Sequence, residues 1–519
     1  MPKVLLFVGS LLPLLFGFSF PALAASETPR RGGTLTVGIL KDLSLMNPLV
    51  KTSSVDRRIR GLMFEPLLGI DLRANLQPGL ALAWKVSPDG KAYVFKLRQG
   101  VKFHNGQEMT ADDVKFAIEY TMNPKNGAFG YSRLAGVNRV EAADKYTLHI
   151  SLKTPSAAFL LSLTDIKTFS VIPKGSLAEG VSKLNAYPPG TGPFRFVEWQ
   201  PDQRIVLRRH EGYWDQSGFL ETVVLRPIKD DAMRFVTLQA GDVDMIEQAP
   251  FEWAKQIAAG QVNGISLAVA TYGGFDAIRF NVAGPPFNNK KLRLAVARTI
   301  DRKEILHAAH FGFGEPSDQN YPKTHTWYID GAAAPNQDYA KARELVREAG
   351  YKGEPIEMII SQEVEKQTMA TVLQSQLKKI GINMTIQPLE YSAFTDRERR
   401  GDFAFTFSGG SPKADPAETY APHFRCEPDL KKRQSNTTGY CDQEVDGLLR
   451  KAETELDAEK RKFLFQQILK KINEDLPILY VGFSPDFIAV RDYAKGFTTD
   501  HDGSLQWWGG GISHMWLAK

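Results

Sequence analysis

The chain has 519 residues, of which 43% are hydrophobic and 24% charged, and its formal net charge is +5. This composition is typical of a globular protein, and the length predicts about two to four domains. Lysine and arginine are interspersed with aspartate and glutamate and form no basic arm, which argues against nucleic-acid binding.

The first 24 residues are predicted to be a secretory signal peptide. Lys3 gives a positively charged start, an apolar segment follows over residues 4–20, and Ala22-Leu23-Ala24 has the A-x-A pattern of a cleavage site. A membrane anchor is the alternative, but the apolar run is short and contains Pro13. No cysteine stands at the cleavage site for lipid attachment. We therefore expect a soluble periplasmic protein.

Short strands and turns predominate in the following region. Alternating residues predict strands at Thr34 to Ile39 and Ala92 to Leu97, and a helical pattern lies between them at Val55 to Phe64. Thr110 is a predicted helix N-cap, and Asp113 stands where a capping box needs its second residue. This region is expected to be α+β and mostly antiparallel.

A hairpin and a short α/β segment are predicted next. Phe194 to Trp199 and Arg204 to Arg209 alternate and are separated by a Pro-Asp turn, which predicts two paired strands. Asp230-Asp231 begins a helical pattern that Gly241 ends, and a strand is expected at Val243 to Ile246.

The second half contains a predicted β-α-β-α-β unit. Its strands are expected at Ile356 to Ile360, Ile382 to Ile386 and Phe403 to Phe407. The apolar face of Met369 to Ile380 predicts the first helix, and Tyr391 to Arg400 predicts the second. This order of elements implies a parallel sheet with right-handed crossovers.

The loop from Ser408 to Ala421 is the candidate binding loop of this unit. Ligands of open α/β sheets lie beyond the carboxyl ends of the strands, and this loop follows the third strand. Its Gly409-Gly410 pair and Pro412 suit such a role, although an ordinary surface turn is an equally simple interpretation.

Cys426 and Cys441 are the two cysteines of the chain. An even number of cysteines in an exported chain favours a disulfide. The alternative is a metal site that also uses His423, but three ligands without paired spacing make a poor metal site. No metal and no cofactor are expected.

The sequence contains no recognisable catalytic constellation. It lacks a G-x-S-x-G motif, an H-E-x-x-H motif and a Gly-rich phosphate loop. His307 and His310 lie on a basic helical segment without a partner set and are expected to be structural. An enzyme is therefore not expected.

Several segments, in chain order, resemble the extracellular solute-binding proteins of peptide-type ABC importers, family 5. The stretch from Tyr187 to Trp214 contains GTGPF, an RIVLRR strand and a closing YW pair that are similar to this family. The run from Ala83 to Glu119 is close to the family's signature region. Further similar segments are GGTLTVG from Gly32, FEPLL from Phe64, LQAGDVDMIE from Leu238, FNVAGPPFNNKKLRLAV from Phe280, AKARELVREAGY from Ala340 and ISHMWLAK from Ile512.

The resemblance implies an α/β fold of the two-lobe periplasmic binding protein type II architecture, with a third, inserted α+β domain and a hinge between the lobes. Lobe I is then expected at 25–64, 186–275 and 489–519, the inserted domain at 65–185 and lobe II at 276–488. A ligand binds between the lobes, which close over it. The partners implied are an inner-membrane ABC permease and a small-molecule ligand, and we expect a monomer.

The binding loop departs from the dipeptide-binding members of this family. Those members resemble G-W-T-G-D-x-x-D-P, where the first acid binds the peptide ammonium and the aromatic residue covers the ligand. Here Gly409 replaces the aromatic residue and Pro412 replaces the acid, while Asp415 aligns. Where such members carry an arginine for the peptide carboxylate, this chain has Ser361 and Gln362. Some of these members also carry a disulfide at the positions of the two cysteines.

Rough alignment with the family gives the candidate ligand-binding residues. They are Thr52, Ser53, Asp56, Arg57, Tyr131, Arg133, Lys167, Ser361, Gln362, Ser408, Gly409, Gly410, Ser411, Lys413 and Asp415. A peptide-like or opine-like compound or a small glycoside fits these residues better than an unmodified dipeptide. Two alternative functions remain open: a ligand-binding protein that feeds a chemoreceptor or sensor, and a chaperone-like protein that binds unfolded chains.

Overall fold

The computed structural model describes residues 28–50, 53–177, 189–215, 218–427, 435–500, 503–507 and 509–518. The predicted signal peptide lies outside these residues. None of the helices in these ranges combines the length and the apolar character that crossing a membrane requires.

The described residues of the first part of the chain form ten strands and four α-helices. The strands are β1 (Thr34–Ile39), β2 (Leu68–Ile70), β3 (Leu76–Pro78), β4 (Ala81–Val86), β5 (Ala92–Leu97), β6 (Val137–Asp144), β7 (Thr147–Leu152), β8 (Phe194–Gln200), β9 (Arg204–Arg209) and β10 (Thr222–Pro227). The helices are α1 (Ser54–Arg60), α2 (Ala111–Met122), α3 (Tyr131–Leu134) and α4 (Phe159–Ser162).

The rest of the described chain adds eleven strands and ten helices. The strands are β11 (Met245–Ile246), β12 (Ile265–Phe280), β13 (Glu315–Pro316), β14 (Ile356–Ser361), β15 (Met384–Leu389), β16 (Phe405–Phe407), β17 (Ile478–Arg491), β18 (Ala494–Lys495), β19 (Gln506–Trp507), β20 (Gly510–Gly511) and β21 (Trp516–Leu517). The helices are α5 (Asp231–Ala240), α6 (Phe251–Ala258), α7 (Lys290–Ala297), α8 (Arg302–Ala309), α9 (Tyr339–Glu348), α10 (Val364–Lys378), α11 (Tyr391–Arg400), α12 (Pro416–Phe424), α13 (Gln443–Thr454) and α14 (Ala458–Asp475).

One sheet of eleven strands runs through both lobes. Its order is β15-β14-β16-β12-β17-β11-β1-β10-β9-β8, with β13 paired to β17. Strands β14, β15 and β16 are parallel, as the predicted β-α-β-α-β unit requires, and β1 is parallel to both β10 and β11. The two-lobe architecture is therefore confirmed, with β1 and β10 in lobe I and β14 and β15 in lobe II.

Strands β12 and β17 are the two segments that connect the lobes. They pair antiparallel along almost their whole length, and the register shifts between Ala270 and Gly274 and again between Asp276 and Ala277. These irregularities interrupt the ladder at the junction of the lobes, which is where a hinge must bend. The predicted boundaries at residues 275 and 488 fall inside these two strands, and the exact domain limits stay a prediction.

The inserted domain has its own sheet and its own core. Its four strands pair antiparallel in the order β4-β5-β7-β6. Helix α2 begins with the predicted capping box of Thr110 and Asp113 and buries Val114 and Ile118. These side chains pack with Phe95 and other buried residues of the sheet in one apolar cluster. The α+β character expected from the sequence is confirmed.

Several predicted elements are shorter in the structure than in the sequence pattern. Helix α1 stops at Arg60 rather than Phe64, and Gly61 forms its C-cap. Strand β16 starts at Phe405 rather than Phe403. The carbonyl groups of Gly401 and Phe403 instead accept hydrogen bonds from the side-chain amide of Asn281, at 2.9 and 3.1 Å. A side chain distant in sequence thus binds the carbonyl group of Phe403, the first residue of the predicted strand.

The structure contains the predicted disulfide between Cys426 and Cys441, whose Cα atoms lie 4.5 Å apart. It joins the end of α12 to the start of α13. The backbone N–H of Cys426 donates to Asp446 of α13 at 3.2 Å, which ties the same two segments together.

Candidate functional site

A cavity of about 220 Å³ lies where lobe I, the inserted domain and lobe II meet. Lobe I contributes Arg57 of α1 and, later in the chain, Asp500, Ser504, Gln506, Trp507, Ser513 and His514. The inserted domain contributes residues 164–167 and the β2–β3 turn, and lobe II contributes His325 and the segment Pro412 to Ala414. A cavity with walls from separate units suits a small ligand that is released when the units part.

Helix α1 positions Arg57 on the lobe I wall. The helix is fixed at its start by a capping box of Ser53 and Asp56, and the buried Asp56 carboxylate also accepts hydrogen bonds from Ser44 at 2.7 and 2.8 Å. Asp56 therefore serves to anchor the helix. Arg57 donates to the Ser504 hydroxyl at 3.0 Å, and that hydroxyl donates to Asp500 at 2.7 Å.

The inserted domain places Asp165 and Lys167 on the opposite wall. Arg133 donates to Asp165 at 2.9 Å. Burial raises the pKa of Asp165, but the charges of Arg133, Lys167 and Arg57 outweigh burial and hold this pKa at about 2. Asp165 is thus ionised at neutral pH and sits among cations from two units.

The candidate binding loop forms the lobe II wall through Lys413. Its backbone is fixed on both sides, since Lys413 N–H donates to Thr419 at 2.9 Å and Lys413 C=O accepts from the Tyr321 hydroxyl at 2.7 Å. Asp415 caps α12 through Ala417 N–H. It also binds Arg461 through two hydrogen bonds of 2.6 and 2.7 Å, so its carboxylate is directed away from the cavity.

At Gly409 the backbone of the loop lies very close to the backbone of β12. Gly410 and Phe275 of β12 exchange hydrogen bonds of 2.8 and 3.1 Å. A Cβ atom added to Gly409 would lie 2.1 Å from the Phe275 carbonyl oxygen. The packing of this loop on the hinge strand therefore excludes a side chain at the position where the dipeptide-binding pattern has an aromatic residue.

Polar contacts join the inserted domain to lobe II across the cleft. Arg133 forms an ion pair with Glu418 of α12 at 3.0 Å. The Thr326 hydroxyl donates to the Arg73 carbonyl at 2.6 Å, and Ala157 N–H donates to the Glu453 carbonyl at 3.0 Å. These contacts show that the inserted domain lies directly against lobe II.

Burial dominates the titration of Glu418 in this arrangement. It raises the pKa of Glu418 to about 7, although Arg133 and Lys413 lower this pKa, while Asp415 and Asp165 raise it further.

The structure brings only part of the predicted site together. Arg57, Lys167 and Lys413 line the cavity. Thr52 lies outside the described residues. The remaining predicted residues are not among the lining residues: Ser53, Asp56, Tyr131, Arg133, Ser361, Gln362, Ser408, Gly409, Gly410, Ser411 and Asp415. Arg133 lies one contact away, hydrogen-bonded to Asp165.

The region of Ser361 and Gln362 contains a cation that the sequence interpretation missed. Lys366 of α10 is half-buried and forms an ion pair with the buried Asp276 of β12. His310 lies on the other side of Asp276, with its Nε2 atom 3.8 Å from the carboxylate, and stacks on Phe251 of lobe I with ring centroids 4.7 Å apart. The charge of Lys366 is therefore compensated within the protein.

The sequence analysis also failed to predict other residues at the cavity. Glu65 is buried and accepts hydrogen bonds from the Tyr213 hydroxyl at 2.8 Å and the Trp214 indole at 3.1 Å. Burial raises the pKa of Glu65 to about 7. The FEPLL segment and the YW pair had pointed to the family, but nothing in the sequence indicated that these two segments meet at the cavity. The described residues contain no group of three or more His, Cys, Asp or Glu that is suited to a metal ion.

Comparisons with known proteins agree with this arrangement. The model of the bacterial extracellular solute-binding proteins, family 5, matches residues 75–430. The oligopeptide-binding protein AppA of Bacillus subtilis is 27% identical over 95% of this chain and 93% of its own length. The dipeptide-binding protein of Escherichia coli is 28% identical over 82% of this chain and 84% of its own.

A solved structure shows the same fold along almost the whole chain. The periplasmic binding protein AgaA of A. tumefaciens R10, in complex with agropinic acid, has a TM-score of 0.77 and 28% sequence identity. The alignment covers 93% of this chain and 99% of AgaA.

Proposed function

Since the chain belongs to the bacterial extracellular solute-binding proteins of family 5, we propose that it captures a small polar solute in the cavity between its lobes and delivers it to an inner-membrane ABC permease. Export through a cleaved N-terminal signal peptide and action as a soluble periplasmic monomer are parts of this proposal. The family consists of binding proteins, so solute capture rather than catalysis is the function to be explained.

The main support for the proposal is a cavity that lies between the lobes and the inserted domain, where the two lobes are joined by a hinge. The cavity is lined by all three units, while β12 and β17 carry the main sheet from one lobe to the other. A solute that contacts all three walls is bound more tightly by the closed form than by the open form. It therefore shifts the population toward the closed form, which is the form a permease has to recognise.

The proposed solute is peptide-like, opine-like or a small glycoside, and it is not an unmodified dipeptide held at both ends. Pro412 stands where a carboxylate would bind the ammonium, and Lys366 is already paired with Asp276. The relatives support several solute classes, because AppA is named as an oligopeptide-binding protein and AgaA was solved in complex with agropinic acid.

Two measurements test the proposal. Mass spectrometry of protein purified from the periplasm should find one small molecule per chain, and small-angle scattering should show a smaller radius of gyration with that solute than after its removal. A protein that binds unfolded chains instead, without a stoichiometric small molecule and without closure, would contradict the proposal. Pull-down with the permease or with a chemoreceptor then separates import from sensing.

A further inference from the structure

We propose that Tyr321 and Thr419 are positioning residues for solute capture, which act by fixing the lobe II wall of the cavity. The described residues that line the cavity include neither of them. Both lie behind the wall and hold the backbone of Lys413, which does line the cavity. This inference rests on the proposed function, because it names the residues that set the shape of the site in which the solute is captured.

A ring of three hydrogen bonds joins Tyr321, Thr419 and Lys413. The backbone N–H of Lys413 donates to the Thr419 hydroxyl at 2.9 Å. The hydroxyl oxygens of Thr419 and Tyr321 lie 2.8 Å apart, and the Tyr321 hydroxyl donates to the Lys413 carbonyl at 2.7 Å. Thr419 belongs to α12, and Tyr321 lies between β13 and α9. Two side chains from different segments therefore hold both polar backbone groups of one loop residue.

The direction of each hydrogen bond in the ring follows from the protons that are available. A carbonyl group only accepts, so the single hydroxyl proton of Tyr321 goes to Lys413. The contact between the two hydroxyls then requires the proton of Thr419, whose other possible acceptor, the Asp415 carbonyl, is more distant at 3.4 Å. Burial raises the pKa of Tyr321 well above its usual range, so its hydroxyl keeps the proton at neutral pH. Removing either hydroxyl therefore breaks two of the three hydrogen bonds.

Tyr321 also supports the other part of the lobe II wall. Its ring lies against His325, with ring centroids 4.5 Å apart. The described lobe II residues that line the cavity are His325, Pro412, Lys413 and Ala414. Pro412 and Ala414 flank Lys413 and follow its backbone. One side chain thus contacts both segments that form this wall.

The hydrogen-bonded ring lies in an apolar environment. The side chains of Tyr321 and Thr419 are buried, and Tyr321 packs in one apolar cluster with residues of α12 and α14. A buried polar group that loses its partner is costly, so the three hydrogen bonds hold the loop in one geometry. A wall that is ordered before the solute arrives reduces the conformational entropy that binding must overcome. The two hydroxyls therefore increase affinity without contacting the solute.

Tyr420 provides a matched control for Tyr321. It is buried in the same apolar cluster, with its ring centroid 6.2 Å from that of Tyr321. Its hydroxyl has no hydrogen-bond partner among the residues that the structure describes. Tyr321→Phe and Tyr420→Phe each remove one buried hydroxyl, but only Tyr321→Phe breaks the ring. Thr419→Val and Thr419→Ser form a second pair, in which only the first variant lacks the hydroxyl.

Three measurements on the full chain separate a positioning role from a purely structural one. Hydrogen–deuterium exchange with mass spectrometry compares the peptide that covers residues 408–415 with peptides from the rest of lobe II. Calorimetry measures the affinity of each solute-free variant for the small molecule that denatured wild-type protein releases. Urea unfolding reports the stability of each variant.

We expect exchange in the 408–415 peptide to become about tenfold faster, and affinity to fall about tenfold, in Tyr321→Phe and Thr419→Val. Exchange in the rest of lobe II should not change, and Tyr420→Phe and Thr419→Ser should resemble wild type in both measurements.

Three results overturn this inference and leave the proposed function intact. They are unchanged exchange in the 408–415 peptide of Tyr321→Phe, faster exchange throughout lobe II, and equal affinity in Tyr321→Phe and Tyr420→Phe. Wild-type protein that carries no small molecule and does not close overturns both this inference and the proposed function.

Discussion

Glu65 is a carboxyl group at the junction of lobe I and the inserted domain, next to the cavity. Burial raises its pKa to about 7, despite the hydrogen bonds that it accepts from Tyr213 and Trp214. In the unfolded chain this group titrates near its ordinary pKa, so the folded protein binds a proton more tightly than the unfolded one. The stabilisation from that proton is complete below about pH 4.5 and is lost as the pH rises through 7.

We therefore predict that Glu65→Gln removes a pH-dependent part of the stability. Relative to the variant, wild type should lose up to about 3 kcal/mol of unfolding free energy between pH 5 and pH 8, the range over which Glu65 releases its proton. Urea unfolding of both proteins at the two pH values measures this difference. Parallel pH profiles for wild type and variant would show that Glu65 titrates normally.

Asp415 has a structural role that is independent of any ligand. Its side chain is buried, caps α12 and forms two hydrogen bonds to the buried Arg461. Asp415→Ala leaves a buried guanidinium without its carboxylate, which we predict to cost about 3–5 kcal/mol of unfolding free energy.

The matched control is Asp112→Ala, which breaks the exposed pair with Lys174 and should cost less than about 1 kcal/mol. Urea unfolding measures both changes. Equal losses for the two variants would mean that the Asp415–Arg461 pair contributes no more than a surface pair does.

At the scale of elements, the loop after β16 depends on a glycine. A Cβ on Gly409 would overlap the Phe275 carbonyl of β12, so Gly409→Ala must push the loop off the hinge strand. We predict a loss of about 1–3 kcal/mol in unfolding free energy. Gly447 lies within α13, and a Cβ atom added to it would have no neighbour within 4 Å. Because alanine favours the helix more than glycine does, Gly447→Ala should instead increase the unfolding free energy by about 0.5–1 kcal/mol.

Chemical denaturation of these two glycine variants gives the sign of each change directly. A neutral or stabilising Gly409→Ala would show that the loop moves away from β12 without cost. In that case the close backbone approach would not explain the absence of an aromatic residue at this position.

The elements that could be predicted from the sequence are those whose ends are set by turn and cap residues close by in the chain. Helix α11 has the predicted limits because Tyr391 to Arg400 is closed by Gly401 in the left-handed conformation. Hairpin β8–β9 and the capping box of α2 were also predicted, since turn and cap residues act within a few positions.

The composition of the cavity was not predictable in the same way. Lys413 was among the predicted residues because of its position in the loop after β16. Glu65, His325 and Ser504 were missed because they meet only when lobe I, the inserted domain and lobe II pack together. No periodicity or motif encodes such a meeting, since the residues lie hundreds of positions apart and each looks locally like an ordinary surface or loop residue.

At the scale of the whole molecule, we expect the charges on the walls of the cavity to decide which solutes the proposed binding protein accepts. A dipeptide held by both termini needs a carboxylate for its ammonium and a cation for its carboxylate, because burying either ion without compensation costs several kcal/mol. Arg57, Lys167 and Lys413 are the lysine and arginine residues among those that line the cavity. The position that would bind the ammonium in the dipeptide-binding pattern is Pro412, which has no charge and no hydrogen-bond donor or acceptor in its side chain.

We therefore predict that unmodified dipeptides do not bind with micromolar affinity, whereas N-acetylation removes the uncompensated ammonium and does not weaken binding. Calorimetry with a panel of dipeptides that have neutral side chains, each paired with its N-acetyl derivative, measures both effects on one protein. The pairing matters, because the two members of each pair share the carboxylate, the peptide group and the side chains, so any difference reports on the ammonium. Micromolar or tighter binding of several free dipeptides, together with weaker binding of their acetylated partners, would mean that the closed cleft supplies an ammonium site from residues other than Pro412.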